Sequence, residues 1–409
     1  MNDSCASPEL LTLEQALAQI LNALPNHKGY EYLPLKKALH RASYKECISA
    51  IDVPSFRNSS MDGYAIRIND DLTSTLKVVG TSWAGKPYTG TLTAGQCVRI
   101  FTGAYVPSDC DSVVMQENVT RNNDIIKINN TPQIFDNIRN IASDKQQGQT
   151  IIPSGKLITA ADIGLLASCG IADISVHKPI TVGFFSTGDE LISIGSQLKL
   201  GQIFDSNRYT LHALIEQAGA TPLDLGVIAD NPEAVETALL SAAGLCDVII
   251  TSGGVSVGEA DFITDVLAKI GKLNLWKIAI KPGKPLVFGS INDTVFFGLP
   301  GNPVSVMVTY QQVVLPALHK MMGYSKELKP LSLQAITLET IFKQPGRIEF
   351  QRGFIENIDG QLFVSSTGGQ GSHMLSSMSK ANCLIVLEQD SGNIEKGQMV
   401  SIQLIGNNL

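Results

Sequence analysis

The chain has 409 residues, 44 % of them hydrophobic and 17 % charged, with a formal net charge of −7. That length exceeds one compact core, so several domains are expected, and the composition is globular rather than disordered. The acidic balance argues against a general nucleic-acid binder, which needs a concentrated basic surface. No run of 18 apolar residues free of charge or glycine offers a membrane span.

Residues 1–13 carry acidic side chains and no long apolar run, so no secretory signal is read there and a cytoplasmic protein is expected. Seven cysteines, at 5, 47, 97, 110, 169, 246 and 383, form no Cys-x-x-Cys and read as reduced core thiols. The six histidines lack zinc spacing.

In chain order, Leu13, Ala16, Leu17, Ile20, Leu21 and Leu24 recur at helical spacing behind Thr12 and Gln15, which fit a capping box. Residues 34–48 read as a second helix. From 48 to 146 short apolar runs alternate with Gly, Pro, Asn and Asp, the pattern of a small β domain inserted into a helical one. Residues 160–170 are a short helix closed by Gly170. Strands and helices then alternate to about residue 323, ending in a long helix over 303–322, which predicts a mostly parallel, doubly wound sheet with ligands at the strand carboxyl ends. Residues 331–405 hold five short apolar runs and read as an all-β domain. The expected boundaries are therefore 1–47 with 147–178 (helical, for linkage or dimerisation), 48–146 (inserted β), 179–326 (α/β) and 327–409 (C-terminal β).

Nearly every expected strand of the α/β region runs into an unusual loop. These are Ser186-Thr187-Gly188-Asp189-Glu190, Asp230, Ser252-Gly253-Gly254 through Ser256, Gly258 and Asp261, Lys281-Pro282-Gly283-Lys284-Pro285, and Gly298-Leu299-Pro300-Gly301-Asn302-Pro303. A glycine loop before a helix lets backbone N–H groups approach an anion, although any one of them is equally a tight strand–helix turn. Several on one sheet edge favour a phosphate-bearing ligand. Neither a P-loop nor a Gly-x-Gly-x-x-Gly fingerprint occurs.

Lys277, Lys281 and Lys284 are close in sequence. Two ammonium groups ~4 Å apart repel by about 4 kcal/mol at an effective dielectric of ~20, so convergent lysines need an anion between them; solvated lysines around a turn are the alternative. Glu190, Asp230 and Asp261 each follow a strand on the same edge. They suit Mg²⁺, which prefers hard oxygen ligands, or they cap helices, Asp230 before Pro232 especially. No Ser–His–Asp or Cys–His arrangement supports covalent catalysis.

These loops, with Ser60-Met61-Asp62-Gly63-Tyr64-Ala65, Phe101-Thr102-Gly103-Ala104, Asp205-Ser206-Asn207 and Gln351-Arg352-Gly353, occur in an order that resembles the MoeA family, to which the gephyrin E domain belongs. The resemblance covers nearly the whole chain. It implies a four-domain homodimer whose α/β domain resembles molybdopterin adenylyltransferases and whose C-terminal β domain is barrel-like. It also implies an adenylylated molybdopterin substrate, molybdate as second substrate, Mg²⁺-dependent release of AMP, and the adenylyltransferase as a partner protein.

Residue by residue, the resemblance gives catalytic roles to Asp62 (from the partner subunit), Glu190, Asp230, Asp261, Lys277 and Lys281, with Glu190, Asp230 and Asp261 on the metal. It gives substrate contacts to Thr102, Thr187, Gly188, Ser252, Gly253, Gly254, Ser256, Gly258, Lys284, Pro300, Pro303, Arg352 and Ser372. Adenylylation of molybdopterin by ATP and a gephyrin-type scaffold are the alternative readings. One departure stands out: where the family carries Gly-Glu-Asp, this chain has Ala142-Ser143-Asp144.

Overall fold

The computed structural model describes residues 10–25, 29–254, 262–325 and 330–405. They form two compact units, one holding Tyr32–Leu39 with Lys45–Val176 and the other the remainder.

The larger unit is built on a seven-stranded sheet. Its order is Leu10–Leu11, Lys272–Ile278, Pro285–Ile291, Thr294–Leu299, Val248–Ser252, Thr181–Thr187, Thr221–Ile228. Only Pro285–Ile291 runs antiparallel to its neighbours. Alternation along each strand feeds two cores. Phe184, Ile250 and Phe297 pack with Ile20, Leu211 and Val304 on one face; Phe185, Ile249 and Phe296 pack with Val235, Leu239 and Ile263 on the other. Each fully buried phenylalanine contributes about 2–3 kcal/mol by leaving water. This is the doubly wound arrangement that the alternation of elements predicts.

Local signals set the helix starts. Thr12 and Gln15 form the expected capping box ahead of Leu13–Ala23. Asn231, not Asp230, caps Pro232–Ala243 by accepting from Ala234 N–H, so the capping reading of Asp230 is overturned. The long C-terminal helix of this region forms as Pro303–Thr309 and Leu315–Met321 joined through a π-helical turn, Tyr310–Val314. Pro316, which has no N–H to give, follows that wide turn.

The C-terminal region is a closed five-stranded barrel. Ile348–Ile358 pairs with Gln361–Ser366, then come Ser332–Thr337, Met399–Leu404 and Cys383–Leu387, which returns to Ile348–Ile358. Val364, Ile385, Val400 and Ile402 fill it. Phe350, Leu384 and Val386 instead join the α/β core, which fuses barrel and sheet into one body. The short strand Ile280–Lys281 extends the barrel by pairing parallel with Ile348–Ile358.

The second unit carries a six-stranded sheet ordered Ser112–Met115, Gly63–Ile66, Gln96–Ile100, Leu76–Ser82, Ile125–Ile128, Val119–Asn122. Its helix Ala160–Ser168 opens on a Thr159/Asp162 capping box and is followed by Gly170 at φ +76°. The helix read over 34–48 does not form. Only the 3-10 turn Leu35–Lys37 appears there; His40 takes φ +61°, and Cys47–Ile48 is a strand. Leu35 and Ala38 are buried by packing against Ile151, Ile158 and Leu166 rather than along a helix face. The six described cysteines are free thiols.

Candidate active site

The carboxyl ends of Lys272–Ile278, Thr294–Leu299, Val248–Ser252, Thr181–Thr187 and Thr221–Ile228 share one rim with the start of antiparallel Pro285–Ile291. A cavity of about 980 Å³ opens along it. Of the residues singled out from sequence, Thr187, Glu190, Ser252, Gly253, Gly254, Lys281, Lys284, Pro300, Pro303, Arg352 and Ser372 line this cavity. Thr187 and Pro285 are three strands apart in the sheet, about 14 Å at normal strand spacing. The cleft is therefore elongated, with Glu190 toward one end and the two lysines toward the other.

At the acidic end the chain makes room with glycine. Gly188 has φ +148°, and a Cβ there would lie 2.7 Å from a Glu190 carboxylate oxygen. Gly254, at φ +64°, leaves no space either: a Cβ would come 2.5 Å from Ile263 Cδ1 and 2.9 Å from Thr187 Oγ1. That buried Thr187 hydroxyl has no hydrogen-bond partner among the described residues, which leaves a polar atom in the cavity wall for a ligand.

Asp230 does not line the cavity, but it stands in the field of its acidic rim. Burial, then the charges of Asp189 and Glu190, push its carboxyl above the ordinary range. The donors here are carboxylate oxygens, which suit Mg²⁺, and a divalent cation would relieve the repulsion that raises Asp230. Among the described residues no three Asp, Glu, His or Cys groups converge into a metal cage. Asp261, named with Glu190 and Asp230 as a ligand, lies outside the described residues, as do Ser256 and Gly258.

The basic end differs from the sequence expectation at two lysines. Lys281 does not wait for an anion: its Nζ lies 3.1 Å from Oε1 of Glu349. Lys284 and Arg347 bring further positive charge to the lining. Lys277 lies on a strand opposite Pro285 and is not part of the lining. Arg352 lines the cavity yet is 1 % exposed. Its Nε donates to Ser377 Oγ at 3.0 Å and its Nη2 to the carbonyls of Gly369 and Gly371 at 3.2 and 3.0 Å. It thereby fixes the loop carrying Ser372, whose carbonyl accepts from Val304 N–H at the start of a helix.

Sequence reasoning missed several of these groups. Glu349 and Gln370 carry no motif of their own. Asp205, noted only as part of Asp205-Ser206-Asn207, is 1 % exposed and holds Ser186 Oγ and Arg208 N–H. Asn207 ties two rim loops by donating to Gly301 O at 2.7 Å. Asp205 had an available signal, its position just past the strand Ile203–Phe204, whereas Glu349 lies inside the strand Ile348–Ile358 and had none.

Asp62 and Thr102 belong to the second unit. There the Asp62 carboxylate accepts from both Thr102 N–H and Thr102 Oγ1. Those bonds, with Arg99 nearby, hold it below the usual carboxylate range.

A doubly wound α/β domain with a charged, glycine-lined rim cavity, fused to a small closed barrel, defines a multidomain protein of the molybdopterin-binding class; residues 183–320 match the probable molybdopterin binding domain. Residues 11–170 match the MoeA N-terminal region (domains I and II) and residues 334–405 the MoeA C-terminal region (domain IV). The chain is 46 % identical to a molybdopterin molybdenumtransferase of Haemophilus influenzae over 96 % of its own length and 98 % of the relative's. It is 34 % identical to one from a Nostoc species, covering 97 % of this chain and 93 % of that one. The crystal structure of the molybdopterin biosynthesis MoeA protein from Pyrococcus horikoshii superposes with a TM-score of 0.84 at 28 % identity, covering 97 % of this chain and all of that one. The chain belongs to the MoeA family.

No helix among the described residues is long and apolar enough to cross a membrane.

Proposed function

We propose that this protein is a molybdopterin molybdenumtransferase: it takes adenylylated molybdopterin and molybdate, releases AMP, and leaves molybdenum on the dithiolene. The observation that carries this reading is the single rim cavity with Glu190 toward one end and Lys281 and Lys284 toward the other. An elongated substrate with a phosphate-bearing portion and a separate dianion to receive needs charges of both signs held apart in that way.

In this reading Lys281, Lys284 and Ser372 meet the oxyanion, and Lys277 adds positive potential behind them. Arg352 holds the Ser372 loop in place. The Thr187 and Ser252 hydroxyls and the backbone at Gly188 and Gly254 cradle the phosphates, while Gly253, whose N–H is given to Leu299 O, shapes the turn. Pro300 and Pro303 form a stiff wall that gives up no backbone donor.

Glu190 and Asp230, with Asp261, would hold Mg²⁺. The cation would supply charge neutralisation at the phosphoanhydride as AMP departs. Ser256 and Gly258 are assigned to the same phosphate loop from sequence alone. Thr102 holds Asp62 ionised, and Asp62 is supplied to the site by a second subunit of a cytoplasmic homodimer. The adenylyltransferase that makes the substrate is the partner this reading implies.

The test is direct. Purified protein given adenylylated molybdopterin, molybdate and Mg²⁺ is expected to release AMP and yield cofactor that activates an apo-molybdoenzyme. Absence of AMP release with every divalent cation would overturn the reading, and ATP turnover without a molybdate requirement would replace it with the adenylylation reaction.

A further inference from the structure

Lys281 enters the cavity with a counter-ion already attached. The parallel pairing of Ile280–Lys281 with Ile348–Ile358 sets Lys281 beside Glu349 in register. The ammonium is 3.1 Å from the carboxylate; the Lys281 side chain is 48 % exposed and that of Glu349 only 7 %. Gln351 Nε2 also donates to the Glu349 carboxylate at 3.0 Å, which fixes the acid from the barrel side. Two further cations sit in its field. Lys343 is buried, with its ammonium given to the carbonyls of Gln344, Gln389 and Ser391, and Arg352 is buried and tied to its own loop.

Of the three cations, only Lys281 is half in water and, among the described residues, has no other partner. Its long stem can turn from the carboxylate to a ligand, whereas the buried acid cannot follow. Lys281 thus has a choice between a fixed single negative charge and whatever anion enters the cavity.

We propose that Glu349 is a specificity-determining residue: it occupies Lys281 until a doubly charged oxyanion displaces it, and so keeps singly charged anions out of the site. This rests on the reading of Lys281 as part of the oxyanion site. A monoanion offers Lys281 no more attraction than the carboxylate already in place. A tetrahedral dianion offers about twice as much, and it also gains Lys284.

The experiment is calorimetric titration of the full-length protein with sodium molybdate, alone and against sodium nitrate, using wild type, K281Q, E349Q and E349D. Wild type is expected to bind molybdate and ignore nitrate, and K281Q to lose most molybdate affinity. E349Q is expected to bind molybdate roughly tenfold more tightly, the order set by removing one unit charge beside a dianion in partly solvated surroundings. Nitrate should then compete. E349D, whose carboxylate stops one methylene short of Lys281, should fall between the two and serves even if E349Q melts early. Molybdate affinity unchanged or weakened in the folded Glu349 variants, with no nitrate competition, overturns the proposal; a purely packing role would give that result. Loss of molybdate binding in wild type, or its persistence in K281Q, instead overturns the site reading beneath it.

Discussion

The Asp62 carboxylate takes two hydrogen bonds from one residue: Thr102 N–H and Thr102 Oγ1 both reach Oδ1 at 2.8 Å. The antiparallel pairing of Gly63–Ile66 with Gln96–Ile100, Gly63 opposite Ile100, brings the two loops together. The backbone bond is the larger influence on the acid and the hydroxyl the next. Thr102→Val keeps the first and deletes the second. The Asp62 carboxyl is then expected to titrate at higher pH, read by carboxyl NMR, and the acid limb of AMP release should move in the same direction. An unmoved titration would show that the hydroxyl does nothing for Asp62.

Ala142, at the position where the MoeA-like pattern often has glycine, adopts φ +60°. The turn is kept: Ala142 N–H donates to Pro54 O and Asp144 N–H to Val53 O. A side chain in the left-handed region costs roughly 1–2 kcal/mol, which glycine avoids at a smaller entropic cost. Ala142→Gly should therefore stabilise the second unit by about 1 kcal/mol, seen as a higher denaturation midpoint. A lower midpoint would mean that the turn is not strained.

Arg352 holds its loop by planar, multi-point donation that an ammonium cannot copy. Arg352→Lys is expected to destabilise the fold by on the order of 2–4 kcal/mol and to loosen residues 366–373 in hydrogen exchange. Activity should fall through the displaced Ser372. Lost activity with wild-type stability and exchange would instead make Arg352 a pure ligand contact.

Burial lowers the pKa of His319 from 6.5 to about 4, and its Nδ1 has no partner among the described residues. The unfolded imidazole gains its proton near pH 6.5 and the folded one only near 4, so the unfolded state binds more protons in between. The contribution to stability is whole above pH 6.5 and declines as pH falls toward 4, by about 3 kcal/mol in the limit. His319→Leu should flatten that part of the stability–pH curve in denaturant titrations. An identical curve for the variant would remove His319 as the cause.

Much of the rim was legible because its residues announce themselves locally. Gly188 and Gly254 take positive φ where an added Cβ would crowd Glu190 and Ile263, and Thr12 caps its helix as its spacing from Gln15 implies. Residues 34–48 misled because a local stretch cannot tell a helix face from side chains buried by other elements. Arg352 was marked as a site residue, but nothing in Gln351-Arg352-Gly353 says that its guanidinium is spent on Ser377, Gly369 and Gly371.

By itself the sequence determined the alternation of elements, the glycine-marked loops on one sheet edge and the family. These depend on periodicity, backbone freedom and hydrogen bonds within a few residues. The tertiary structure alone decided which charge answers which. Lys281 meets Glu349, and Asp205 meets Ser186, through strand register and helix docking between segments far apart in the chain. Such pairings depend on how distant surfaces are brought together, and no local pattern encodes that.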